Sequence, residues 1–248
     1  SIELNVLKPG RMHDILLYLE AYIYEHSDLV LGQSKEILEH IVTKVEKPKF
    51  LYRNLPSLGL TNLSRGSLDG MNKVVYAGLL GYAQGVFELC KRIDFKSIGL
   101  EFHVYGMGME EEQIKNFCET NPDCSVFFHG AYHPDELKQI YSDVLVALVP
   151  LSNRIKGAVP SKIFELIQHE VPIIFSGGGE GADIVNAYNL GLTVPPSDVR
   201  GITESLEVFR SCNQDEYDAL IKSIQTAKSN DFNFNSQFNG LIDFTESA

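Results

Sequence analysis

In the run Val159-Pro160-Ser161-Lys162-Ile163-Phe164-Glu165, a hydroxyl, an ammonium and a carboxylate fall within about one turn of a potential helix. Proline suits the start of a helix, because the amide hydrogen it lacks would have no partner there. Ser161 and Lys162 would then stand at the positive end of the helix dipole, where free N–H groups gather an anion such as phosphate. Glu165 follows Ser161 by four positions, on the same face, where a carboxylate can accept hydrogen bonds from sugar hydroxyls. That combination points to a nucleotide-sugar site. The same residues also satisfy an ordinary helix start with a solvated Lys and Glu. The preceding segment, Ser152 to Ala158, is polar and basic, with Arg154 and Lys156 as further cations.

Four other motifs fall where a strand should end. Tyr76 to Gly85 carries Gly78 and Gly81, at which backbone can approach a ligand without a Cβ, and Gln84-Gly85 opens the next helix. A tight turn between strand and helix would need the same glycines. Val104 to Gly108 contains Gly106-Met107-Gly108 ahead of Glu110 to Glu112, acids that complement a helix dipole and disfavour a phosphate there. Phe127 to Tyr132 could offer backbone groups to a base. Ser176 to Ala182 holds Gly177, Gly178, Gly179 and Gly181 around Glu180, which suits a phosphate or sugar hydroxyl pressed against backbone.

The elements that must position these motifs alternate regularly. Strands are expected near 73–77, 100–105, 125–129, 144–149, 171–176 and 192–195, and helices near 84–93, 110–119, 134–142, 160–169, 181–189 and 198–210. Such alternation makes an α/β fold, a Rossmann-like doubly wound parallel sheet whose ligands lie outside the carboxyl ends of the strands. The sequence places this domain at 72–228, with a last helix near 214–228, after a linker at 54–71 rich in Asn, Ser, Gly and Pro. Residues 229–248 read as a tail, polar from Ser229 to Asn239 and apolar near Leu241 to Phe244. Residues 1–53 offer a helix over 11–27, a strand over 28–32, a second helix over 35–44 and a strand over 49–52. Ser34 caps that second helix, and Ile37, Leu38, Ile41 and Val42 form its expected buried face. These pieces are too few for a sandwiched sheet and read as the tail of a preceding, truncated α/β domain.

Bulk properties exclude several classes of function. With 248 residues and 44% apolar content the chain can bury a sizeable core. A net charge of −12 without a basic block argues against nucleic acid as a partner. Four cysteines without C-x-x-C spacing imply reduced thiols, two or three of them in the core, and a cytoplasmic setting. The histidines are scattered, so no metal ligand set is expected. No apolar run approaches the ~20 residues of a spanning helix.

Taken in order, the motifs resemble the nucleotide-binding, C-terminal half of the family 4 retaining glycosyltransferases, which have the GT-B fold of two Rossmann-like domains. Tyr76 to Gly85 is similar to the family's first glycine loop, Val104 to Gly108 to its second strand and G-x-G, and Val126 to Tyr132 to its third strand and glycine. The P-S-K-I-F-E segment with Val171 to Ile174 is similar to the helix and strand that carry the family's ribose-binding glutamate. Residues 20–56 resemble the end of the acceptor domain. In two places the chain departs from the pattern. The first glutamate of the family's E-x7-E pair falls at Gly157, and the usual Arg and Lys of the first loop fall at Leu79 and Gln84. Members that assemble polysaccharides share G-x-L-G-x-x-Q-G and P-S-K with this chain.

The resemblance implies retaining transfer of a sugar from a nucleoside-diphosphate sugar to a glycan or lipid-linked acceptor, in capsule or lipopolysaccharide biosynthesis, without metal or other cofactor. Lys162 and Arg154 would stabilise the leaving diphosphate. Gly78, Gly81, Gln84, Gly106, Tyr132, Ser161, Glu165, Gly178, Gly179, Glu180 and Gly181 would join Lys162 in holding the donor. The setting implied is the cytoplasm, at the inner face of the membrane if the N-terminal domain associates there, and the chain alone would bind donor without transferring sugar. Two other readings stay open: a catalytically silent nucleotide-sugar-binding module, and a GT-B sugar-nucleotide 2-epimerase.

Overall fold

The computed structural model describes residues 10–57 and 67–247, so 58–66 of the expected linker lie outside the described residues. The chain divides into two compact units. The smaller joins 1–54, Ile155–Val159 and Phe234–Ala248, and the larger joins Leu55–Arg154 and Pro160–Asn233.

In the smaller unit, β1 (Val30–Gly32) pairs in parallel with β2 (Lys49–Leu51). The helix Lys35–Val42 connects them, capped by Ser34, whose Oγ accepts the Ile37 amide at 3.1 Å. Of its expected buried face only Ile41 is buried, and Val42 is exposed. The helix Arg11–Glu25 buries none of its residues. The helix Phe234–Ser247 occupies much of the stretch expected to be a polar tail. Apolar residues hold it to β2: Phe244 lies 5.3 Å from Phe50 between ring centroids. Gln237 seals the contact by exchanging two backbone hydrogen bonds with Arg53, at 2.8 and 2.9 Å.

The larger unit contains six parallel strands: β3 (Lys73–Ala77), β4 (Glu101–Tyr105), β5 (Val126–Gly130), β6 (Val144–Pro150), β7 (Ile173–Ser176) and β8 (Gly191–Val194). Their order across the sheet is β5-β4-β3-β6-β7-β8. Every residue of β6 is buried, as a continuous apolar run covered on both faces must be. The chain winds outward in one direction from β3 and in the other from β6, so these neighbours bracket the point where a doubly wound sheet opens a crevice at its strand ends. The helices Val86–Arg92, Glu111–Thr120, Ser161–Gln168, Glu180–Ala187, Val199–Ser211 and Gln214–Asn230 flank the sheet. The crossover from β5 to β6 is shorter than the expected helix over 134–142, with a 3-10 turn, Pro134–Glu136, followed by the four-residue helix Leu137–Ile140.

Candidate functional site

The helix Ser161–Gln168 begins directly outside the end of β6. Pro160 is its N-cap, with φ −60° and ψ 124°, so the helix starts one residue later than a proline at its first position would give. Proline offers no side-chain cap, and among the described residues no side chain is recorded on its first amides. Ile163, Phe164, Leu166 and Ile167 turn into the core, which leaves Ser161, Lys162 and Glu165 on the outward side. Lys162 Nζ donates to Glu165 Oε1 at 2.7 Å, and Tyr141 Oη donates to the same oxygen at 2.8 Å. Both charged side chains are only 20% exposed, so neither is the solvated surface group of an ordinary helix start. Lys162 also reaches Tyr132 Oη at 3.4 Å. Burial, reinforced by the Glu165 carboxylate, raises the Tyr141 hydroxyl well above the ordinary phenol pKa and keeps it a donor. Both contacts fall on Oε1, which leaves Oε2 without a partner among the described residues.

The first glycine loop is brought to this helix. A Cβ at Gly78 would stand 3.7 Å from Lys162 Cε and 3.2 Å from Tyr76 Oη. Tyr76 itself donates to the Leu79 carbonyl at 2.5 Å and so fixes the turn, its own pKa raised by burial. Gly106 and Gly108 serve the same loop from the other side. Their φ values are +143° and +149°, and side chains there would collide with the Gly78 and Leu80 carbonyls. Hydrogen bonds from Gly78 N to Tyr105 O and from Leu80 N to Met107 O complete that backbone ladder. Gly106 therefore positions Gly78. Gly81 lies against the Gln84 side chain, and Gln84 Oε1 is buried without a partner among the described residues, beside a cavity of about 160 Å³ that Ser152, Ser176 and Ser197 also line.

The helix opened by Gln84-Gly85 does not offer its N-terminus to an anion. Glu110, 3% exposed, accepts the Phe87 amide at 3.2 Å and also engages that of Val86. The protein's own carboxylate fills the site that the sequence left to a ligand. Burial raises the Glu110 pKa, and the two amides oppose that rise.

The four glycines after β7 divide by role. A Cβ on Gly177 or Gly181 would lie 2.3 or 3.0 Å from the Phe175 ring, and both glycines are buried, so they answer to packing. Gly178 and Gly179 are half-exposed beneath Arg154, whose Cδ and Nε would lie 3.5 and 2.7 Å from their added Cβ atoms. Glu180 is buried at the start of the next helix. The structure thus gathers Gly78, Tyr132, Lys162 and Glu165 in one place and sets Arg154 over Gly178-Gly179.

Sequence reasoning missed Tyr141 and the cap by Glu110, whose partners stand more than twenty positions away. It also missed a cross-strand pair, His103 Nδ1 to His129 Nε2 at 2.9 Å, in a row of stacked rings with Tyr105 and Phe127. Alternation along β4 and β5 was the available signal, since His103, Tyr105, Phe127 and His129 share one face. Among the described residues no group of three His, Cys, Asp or Glu is placed to hold a metal, and no helix is long and apolar enough to cross a membrane. All four cysteines are free, and only Cys90 is buried.

A six-stranded parallel sheet in this order, with Lys162 and a tyrosine-held carboxylate at its switch point, is a doubly wound Rossmann-like domain. Comparison with known proteins makes the class specific. Residues 72–209 match the model of the glycosyl transferases group 1 family, and the chain belongs to that family. WcaL of Escherichia coli K12, named as a colanic acid biosynthesis glycosyltransferase, is 22% identical over 150 residues, 59% of this chain and 37% of the relative. The chain therefore spans little more than a third of that relative's length. Among solved structures, TarM of S. aureus with UDP covers 91% of the chain at TM-score 0.71 and 14% identity, over 46% of its own length. The lipopolysaccharide outer core galactosyltransferase WaaB covers 89% at TM-score 0.65 and 17% identity, over 62% of its length. At such identities these structures show the shared fold.

Proposed function

We propose that the chain is the donor-binding half of a retaining glycosyltransferase, which moves a sugar from a nucleoside diphosphate to a glycan or lipid-linked acceptor in cell-surface polysaccharide assembly. One observation carries this reading: the Lys162–Glu165–Tyr141 constellation beside Gly78, at the strand ends where this fold binds ligands. Membership of the family supports the reaction class, and WcaL and WaaB support the polysaccharide setting. The setting proposed is the cytoplasm, at the membrane face.

In the proposed reaction the bond from the anomeric carbon to the diphosphate oxygen breaks, a bond from the same face to an acceptor hydroxyl oxygen forms, and the proton of that hydroxyl passes to the leaving diphosphate oxygen. Negative charge grows on the leaving diphosphate. Lys162, Arg154 and the uncapped amides at Ser161 meet that charge without a metal, and preorganised groups of this kind are the main source of rate in such sites. Glu165 Oε2 accepts the ribose hydroxyls, while Tyr141 and Lys162 hold Oε1.

The test is calorimetric titration of the chain with UDP, GDP and their sugars, with and without EDTA. Micromolar binding of one nucleoside diphosphate, unaffected by EDTA, is expected. Failure to bind any of them, or strict dependence on a divalent ion, would overturn the reading.

A further inference from the structure

β5 lies at one edge of the larger sheet, and a pair of histidines joins it to β4. His103 Nδ1 and His129 Nε2 stand 2.9 Å apart, and the other ring nitrogen of His103 stands 3.3 Å from Glu101 Oε2. Those two contacts fix the hydrogens. An ionised carboxylate only accepts, so His103 Nε2 carries a hydrogen, and its Nδ1, bare in the neutral ring, accepts from His129 Nε2. His129 Nδ1 is then bare. The neutral pair thus holds two hydrogens on four ring nitrogens. A third goes to His129 Nδ1 and leaves the bond between the rings intact. A fourth has no place, because it would set N–H against N–H on one 2.9 Å line and put two charges on rings stacked 5.1 Å apart.

The surroundings also suit one charge. Lys73, from β3, is matched by Asp143 at 3.1 Å, which leaves Glu101 to balance a single imidazolium. Tyr105 stacks on His129 with ring centroids 4.2 Å apart. Glu136, in the wall of a cavity of about 430 Å³ that His129 also lines, is engaged by the His133 amide. Burial lowers the pKa of both rings below the ordinary 6.5, against the pull of Glu101 on His103 and with the push of His103 and Lys73 on His129. The unfolded chain therefore takes up protons first, so stability from the pair is full above 6.5 and falls as pH drops below it. The ladder beside the pair is irregular, its register shifting between Val104 and Tyr105, so the side-chain bond carries pairing that the backbone there does not.

We propose that His103 and His129 form a one-proton switch at the edge of the sheet: the pair stays closed when a first proton enters on acidification, and a second opens it and frees the end of β5. His129, Ala131 and Tyr132 line the same cavity, so opening the pair reshapes that cavity.

Nitrogen NMR of the 248-residue chain from about pH 8 to about pH 4.5, with hydrogen exchange normalised to intrinsic rates, tests it. His103 should show the Nε2–H tautomer at neutral pH, and the nitrogens of both rings should shift along one shared curve as the first proton enters. Entry of the second should coincide with a loss of protection of about tenfold or more at Phe127 to Gly130, while β3 and β6 keep theirs. His129→Gln keeps a donor for His103 Nδ1 but takes no proton, so this variant, altered at an exposed position, should retain its protection across the range. Separate curves for the two rings would refute the shared proton. Protection of β5 that survives to about pH 4.5 in the parent, or that is lost equally in His129→Gln, would refute the switch.

Discussion

Two helices leave the centre of the sheet at its carboxyl edge, Val86–Arg92 after β3 and Ser161–Gln168 after β6, and their N-termini are treated in opposite ways. The first has its free amides covered by the carboxylate of Glu110. The second has no side-chain cap, and a lysine stands in its first turn. Helix N-termini attract anions alike, so the difference lies in what the chain has already placed there. An internal carboxylate occupies one helix N-terminus, and the other carries no cap from its own N-cap residue.

The largest expected effect that tests this contrast comes from Glu165→Ala. A hydrogen bond to a charged group contributes about 1.5–3 kcal/mol, so nucleoside and nucleoside diphosphate should both bind ten-fold more weakly or worse. The variant also removes an acceptor from buried Tyr141, and a melting temperature lower by several degrees should accompany the loss. Lys162→Ala should separate the two ligands, weakening UDP or GDP about ten-fold and sparing the nucleoside. Parental binding of both ligands by both variants would remove the site from this helix.

Glu110→Ala should act on stability alone. Loss of a cap costs about 1 kcal/mol, a drop of roughly 2–4 °C in a chain of this size, with nucleotide affinity unchanged. Weaker nucleotide binding by this variant would break the contrast, because it would place the ligand at the first helix after all. A smaller effect concerns pH. The folded pKa of Glu110 lies above the ordinary 4.5, so the folded state holds a proton that the unfolded state has released. Stability from this group is therefore greatest below 4.5 and declines as pH rises through the folded pKa. Glu110→Gln should flatten that segment of the stability profile measured by urea unfolding.

Much of this was readable in the residues. The apolar run of β6 and the helix Ser161–Gln168 follow from periodicity within a few positions, and the strand alternation was enough to give the sheet. The glycines were harder, because a glycine's purpose lies in what stands opposite. Gly106 exists for the Gly78 carbonyl, and Gly177 and Gly181 for the Phe175 ring. Glu110 looked like a dipole partner for the helix that follows it, but its carboxylate turns back to a helix twenty-three residues earlier. No local pattern records such a turn. The segment before Leu241 looked like a polar tail because its apolar residues are sparse, yet Phe234 and Phe238 stack in one helix.

Glu170 closes the turn after the helix Ser161–Gln168 in a left-handed conformation, with φ +55°. Its buried carboxylate accepts Lys228 Nζ at 2.8 Å and Gln225 Nε2 at 2.7 Å, partners 58 and 55 positions downstream. A helix that short is marginal in isolation, and this anchor requires distant parts of the chain to have arrived. β3 and β4, whose paired residues are twenty-eight positions apart, need no such wait. The order of assembly therefore runs from the sheet to this helix, and pulse-labelled refolding should find the amides of Ile163 to Gln168 among the last to be protected. On that account a nascent chain holds this helix loosely until its C-terminal helices have emerged.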